Sequence, residues 1–181
     1  MYLITAYFDD NTNNKLQNII DEIATVSGND FMIKNNVVPH LTISAFDEKS
    51  TDKALELFAK MEDKLHYDKI LIPSVGVFLP YVIYAQPTKN QYLTELSDDI
   101  YDVLRNGHDT IVNRYYIPPD WIPHITLGKK LGNDQMQQAF KVVQNSFQPI
   151  NAHITSFGLS KPNPLTNLSL TNKMMQLFKE G

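Results

Sequence analysis

The sequence predicts an α+β fold of two lobes related by a pseudo-twofold, each an antiparallel β-sheet with helices on its outer face, and a central cleft between them. Three observations carry this expectation. A strand-then-helix order runs through the chain twice, matched residues recur at a near-constant offset, and no low-complexity linker separates the halves.

The first repeat, about residues 1–79, opens with Tyr2 to Phe8, rich in β-branched and aromatic residues and closed by the turn formers Asp9, Asp10 and Asn11. From Asn14 to about Val26, Leu16, Ile19, Ile20, Ile23 and Ala24 recur at threes and fours, which predicts an amphipathic helix ending near Gly28. Pro39 introduces the alternating run His40 to Phe46. Ser50 or Thr51 can cap a helix through Leu65, with Ala54, Leu55, Leu57, Phe58 and Met61 as its apolar stripe. Lys69 to Phe78 reads as a longer strand interrupted by Pro73. The second repeat, about residues 80–172, gives strand Tyr81 to Gln86, helix Gln91 to Leu104, strand His124 to Lys130, helix Asp134 to Val143 and strand Ile150 to Ser160. Ala6 and Ala85 lie 79 apart, His40 and His124 84 apart, and Gly76 and Gly158 82 apart. The whole chain, 1–181, is therefore expected to form a single bilobal domain, with a last strand over Pro164 to Leu170 and no assignment for the tail from Met174.

Composition narrows the chemistry. With 181 residues, 43% of them hydrophobic, the chain can bury a core, and its apolar runs fall far short of the roughly 18 residues a membrane helix needs. Zero cysteines exclude disulfides and thiolate zinc sites. A soluble, cytoplasmic monomer with no membrane partner is the expectation. The net charge is −4, and no basic stripe is visible to neutralise a long phosphate backbone. Duplex nucleic acid is therefore disfavoured against a small nucleotide or an RNA end.

The residues that carry chemistry are Pro39-His40-Leu41-Thr42 and Pro123-His124-Ile125-Thr126, one tetrapeptide pattern at equivalent places in the two repeats. Side chains alternate along a strand, so His40 and Thr42 share one face, as do His124 and Thr126. Packed about a pseudo-twofold, the two strands would place two imidazoles and two hydroxyls around one cleft. An imidazole titrates near pH ~6.5, so one can serve as base while its partner serves as acid, and the threonines can donate to phosphoryl oxygens.

The paired motifs, the duplicated order and the length resemble the two-histidine (2H) phosphoesterase superfamily, in its 2′-5′ RNA ligase-like branch. The family pattern of His, apolar, Thr or Ser, apolar is matched by His40-Leu41-Thr42-Ile43 and by His124-Ile125-Thr126-Leu127, and Trp121-Ile122-Pro123 resembles the family's approach to the second motif. The resemblance implies hydrolysis of 2′,3′-cyclic phosphates or 2′,5′-linked nucleotides or RNA ends, with His40 as proton donor and His124 as acceptor, although the pseudo-symmetry allows either assignment; with the threonines as donors, no metal or cofactor is expected. RNA 2′-5′ ligation, or a phosphate-binding module without catalysis, is the alternative.

Other candidates leave two readings open. Tyr115, Tyr116 and Trp121 can stack a base or pack their loop against the sheet. Strict alternation puts Phe46 on the His40 face, where it floors the cleft or fills the core, and puts Lys130 on the His124 face, where it meets a phosphate or solvent. His153-Ile154-Thr155 copies the tripeptide without a preceding proline, and its counterpart in the first repeat is Lys69, so His153 reads as an ordinary strand residue. His66 and His108 read as surface positions.

Overall fold

The computed structural model describes residues 1–162 and 164–172. Its first strand, β1 (Tyr2–Phe8), is buried at every position because it is internal, flanked by β2 (Leu41–Asp47) and β8 (Ile150–Lys161), both antiparallel to it. The larger sheet runs β3-β8-β1-β2-β6, where β3 is Lys69–Ile72 and β6 is Ile111–Val112. The final strand β9 (Thr166–Asn172) also pairs with β8, and so realises the expected last strand. The tail from Met174 lies outside the described residues.

The smaller sheet is β4-β5-β7, formed by Ser74–Phe78, Val82–Gln86 and Ile125–Lys129. Pro73 does more than interrupt one strand: the segments on either side of it enter different sheets, β3 pairing with β8 and β4 with β5. Proline cannot donate to a ladder, so it suits the crossing point. The sheets consequently do not follow the halves of the sequence. β4, from the first half, completes the smaller sheet, whereas β8, from the second half, completes the larger one.

The helices exchange in the same way. α1 (Asp10–Ser27) packs against α5 (Asn133–Ser146) and β7, and α4 (Gln91–Arg105) packs against β2 and α3 (Thr51–Met61). The buried residues Leu16, Ile19, Ile20 and Ile23 are the stripe that the 3.6-residue period predicts for α1. That helix starts at Asp10 because Asp9 caps it, accepting from Thr12 N–H (2.9 Å), the Thr12 hydroxyl (2.8 Å) and His153 N–H (3.0 Å). Burial would raise the Asp9 carboxyl, but these hydrogen bonds outweigh it and hold the group below its ordinary value. Gly28 ends α1 at φ 67°, the left-handed region that favours glycine. Two short elements, β6 and α2 (Phe31–Lys34), have no counterpart in the sequence reading.

The pairing registers express the pseudo-twofold residue by residue. Thr5 on β1 pairs with Gly158 and Thr42, and Tyr84 on β5 pairs with Gly76 and Thr126. Each ladder also carries a register shift at the same place, between Ile4 and Thr5 in one and between Ile83 and Tyr84 in the other. In both, the extra residue falls on the motif strand, just after the threonine.

Candidate active site

The two motifs enter their strands identically. β2 begins at Leu41 and β7 at Ile125, so each histidine is the last residue before the ladder. His40 Nδ1 lies 2.8 Å from the Val38 carbonyl oxygen, and His124 Nδ1 lies 2.8 Å from the Ile122 carbonyl oxygen. A carbonyl only accepts, so in both rings Nδ1 holds the proton and donates it backward across the intervening proline. Nε2 is the nitrogen left for a ligand, a lone-pair acceptor when the ring is neutral.

Both half-buried imidazoles line one cleft of about 210 Å³, together with Thr42, Thr126, Tyr116 and Lys129. Its remaining walls are largely apolar, including Leu3 from β1, Phe31 and Met32 from α2, and Pro162, Pro164 and Leu165 from the β8–β9 connection. Among the described residues, no carboxylate lines it. Among the described residues, no group of three or more His, Cys, Asp or Glu is placed to hold a metal ion.

Two expectations from strict alternation are corrected, for one reason. An extra residue in a strand reverses the in–out phase beyond it. After the shift on β2, Ala45 rather than Phe46 shares the face of Thr42; Phe46 is 1% exposed and packs against Tyr2, with ring centroids 5.7 Å apart. After the equivalent shift on β7, Lys129 rather than Lys130 shares the face of Thr126 and lines the cleft. Lys130 turns away at φ 58° and holds its ammonium 4.6 Å from the Phe31 ring centre.

The three aromatics before the second motif part company. Tyr116 lines the cleft, its hydroxyl paired with the Thr42 side chain and its ring centre 6.5 Å from that of His124. Tyr115 stays outside the cleft, 65% exposed. Trp121 is corrected from possible base stacker to internal strut: it is 2% exposed, and its Nε1–H donates to the Thr42 carbonyl at 3.1 Å. The approach to one motif is thereby fastened to the backbone of the other. His153 pairs across the ladder with Lys69 and lines a separate hollow, as an ordinary strand residue would. His108 lies on the surface, its side chain 97% exposed.

The sequence model of the 2′-5′ RNA ligase superfamily matches residues 69–163, just over half of the chain. The chain belongs to the 2′-5′ RNA ligase superfamily. A solved structure, the crystal structure of a phosphoesterase, superposes with a TM-score of 0.59 at 16% identity, covering 94% of this chain and 96% of that one. At that identity the likeness is one of fold. No curated protein matches the chain. The span shared with the superfamily contains His124 and Thr126 but begins after His40, so the first histidine joins the candidate site through the pseudo-twofold and the common cleft.

In this superfamily member the surroundings of the two imidazoles differ. Burial lowers both below the ordinary value near 6.5, opposed by the hydrogen bonds to Val38 and Ile122. His40 additionally feels the positive charges of His124 and Lys129. His124 is enclosed by aromatic rings instead, with Phe78 at 4.9 Å edge-on and Tyr84 at 5.6 Å. Burial therefore favours neutral imidazoles. An unfolded chain takes up protons at these histidines near pH ~6.5, whereas the folded chain does so only lower, so folding stability drops as pH falls through that value. Thermal scans across this range are expected to show a decline that His40→Gln and His124→Gln each reduce and that added inorganic phosphate opposes.

Sequence reasoning missed Lys129, Phe78, Tyr84 and also Tyr7, whose ring centre is 6.3 Å from that of His40. The bulge that exposes Lys129 to the cleft has no signature in composition. For Tyr84, the 79-residue offset that pairs Ala6 with Ala85 would have sufficed, because it also aligns Tyr84 with Thr5, the residue beside Thr42.

Proposed function

We propose that this protein is a metal-independent phosphodiesterase that hydrolyses 2′,3′-cyclic phosphates or 2′,5′-linked nucleotides and RNA ends. The observation that carries the reading is the shared construction of the two imidazoles, each with Nδ1 tied to a backbone carbonyl and Nε2 left to a cleft that also holds two threonines and a lysine. A phosphodiester held there would have Thr42 and Thr126 as donors to its non-bridging oxygens and the Lys129 ammonium to balance its charge. One neutral imidazole takes a proton from water as the oxygen attacks phosphorus, and the other gives its Nε2 proton to the departing ribose oxygen as that P–O bond breaks.

Burial lowers both imidazoles, and the Lys129 ammonium, whose charge bears on His40 alone, further opposes its protonation and favours it as the base. His124 then serves as the acid, protonated once a bound anion offsets the local positive charge. This reverses the roles that the family resemblance implies.

The test is a product assay over a panel of 2′,3′-cyclic nucleotides and 2′,5′-linked dinucleotides in the presence of a strong chelator. Turnover to a phosphomonoester is expected, and Lys129→Ala is expected to raise KM by about tenfold or more, as the loss of a charged hydrogen-bond partner does. Cleavage of none of the panel, or cleavage only with added metal, would overturn the proposal.

A further inference from the structure

A second cavity, of about 580 Å³, adjoins the cleft and shares two wall residues with it, His124 and Tyr116. A phosphate held at His124 therefore has this cavity as its immediate neighbour. Its walls are chiefly ring and hydrocarbon, supplied by Phe78, Tyr115, Tyr116 and Ile122. A volume of this size accommodates a small organic group, and apolar walls with few polar groups are how such sites orient one.

The polar groups in the cavity are Asn113 and Asp120. Asn113 is held at both ends of its role: its backbone N–H donates to the Ala45 carbonyl (2.8 Å) and its side-chain oxygen accepts from Tyr115 N–H (3.1 Å). That leaves the Asn113 amide as a donor toward the cavity. The Asp120 carboxylate makes no ion pair or side-chain hydrogen bond among the described residues. It is a free acceptor beside an aromatic wall.

Tyr115 supplies the third component. The Arg114 guanidinium lies over its ring at 4.7 Å and donates to its hydroxyl at 2.6 Å, yet the residue remains 65% exposed. A largely exposed ring held by a neighbouring side chain is a stacking surface that has less conformational freedom to lose on binding.

Resting on the phosphodiesterase reading above, we propose that this second cavity is a nucleobase subsite, in which the base stacks on Tyr115 and presents its edge to Asn113 and Asp120. The base it takes carries an amino group, as adenine, cytosine and guanine do. A carboxylate accepts from such an amine, whereas the single N–H of the uracil edge is flanked by two carbonyl oxygens that a carboxylate repels.

The experiment compares KM and kcat for 2′,3′-cyclic AMP and 2′,3′-cyclic UMP in the wild-type protein, Tyr115→Ala and Asp120→Asn. The wild type is expected to favour the adenine substrate through KM. Tyr115→Ala, at an exposed position, should raise KM for the adenine substrate by about tenfold with kcat changed by less than about twofold, consistent with the worth of one stacked base. Asp120→Asn should narrow the adenine-to-uracil ratio. Unchanged KM and an unchanged ratio in both variants, with an active wild type, would overturn the subsite while leaving the phosphodiesterase reading intact. If the wild type cleaves neither substrate, that reading fails instead, and the cavity is measured by calorimetry with adenosine 3′-phosphate and uridine 3′-phosphate. Preferential binding of the adenine compound that Tyr115→Ala abolishes upholds the subsite, and equal or absent binding overturns it.

Discussion

Alanine at either His40 or His124 is expected to lower kcat/KM by about 10²- to 10⁴-fold while the protein stays folded. Each imidazole is only half-buried and makes one hydrogen bond, to a backbone carbonyl two residues back, so its removal leaves the two sheets intact. What disappears is a proton acceptor or donor at a fixed place. The pair should act as a unit, and the double variant should be little worse than the poorer single one, because a base without its acid has only half a reaction to catalyse. Under the proposed reading, in which Thr42, Thr126 and Lys129 hold the phosphate, its binding should persist in both single variants. Steady-state rates with a cyclic nucleotide, alongside phosphate titration, separate these effects. Full activity in either single variant would end the two-histidine account.

Truncating Trp121 is expected to have the largest effect on stability of any residue near the site. Trp121→Ala should cost about 3–5 kcal/mol, the usual toll of deleting a buried tryptophan. Packing is only part of that. The Nε1–H to Thr42 carbonyl bond joins the second motif's approach to the first motif's strand, and without it a buried carbonyl loses a partner at a cost of about 1–3 kcal/mol. Trp121→Phe weights the loss toward the second contribution, since it removes the donor and leaves a much smaller void than alanine does. It should lose stability by the smaller amount and also lose kcat, because Thr42 and Tyr116 are positioned from the same backbone. Urea midpoints followed by circular dichroism, with kcat measured on the same samples, check both parts. A stable Trp121→Phe protein with unaltered kcat would show that the strut does not position the site.

The contrast between what could and could not be foreseen follows the range of the interactions. The paired His-x-Thr motifs were legible because a strand's two-residue period relates neighbours that need no tertiary information. Strand and helix order was legible for the same reason, through the spacing of Leu16, Ile19, Ile20 and Ile23 and of their counterparts. Phe46 and Lys130 were misplaced because a single extra residue after Thr42 and Thr126 inverts the period, and that extra residue is set by pairing with β1 and β5, not by local composition. Trp121 was ambiguous for a different reason: a loop aromatic is base platform or strut according to what lies behind it. Lys129 and Asp120 were invisible as site residues until the loop and the bulge had shape.

The crossing at Pro73 has a consequence for how this molecule can be assembled. Because β4 leaves the first half to finish the sheet of the second, and β8 returns to finish the sheet of the first, neither half owns a closed hydrogen-bonded ladder. Cut between them, each piece would be left with an unsatisfied strand edge where the other belongs. The two imidazoles therefore come together only in a chain whose halves have already clasped, and a broken or half-made copy has no working centre to misfire.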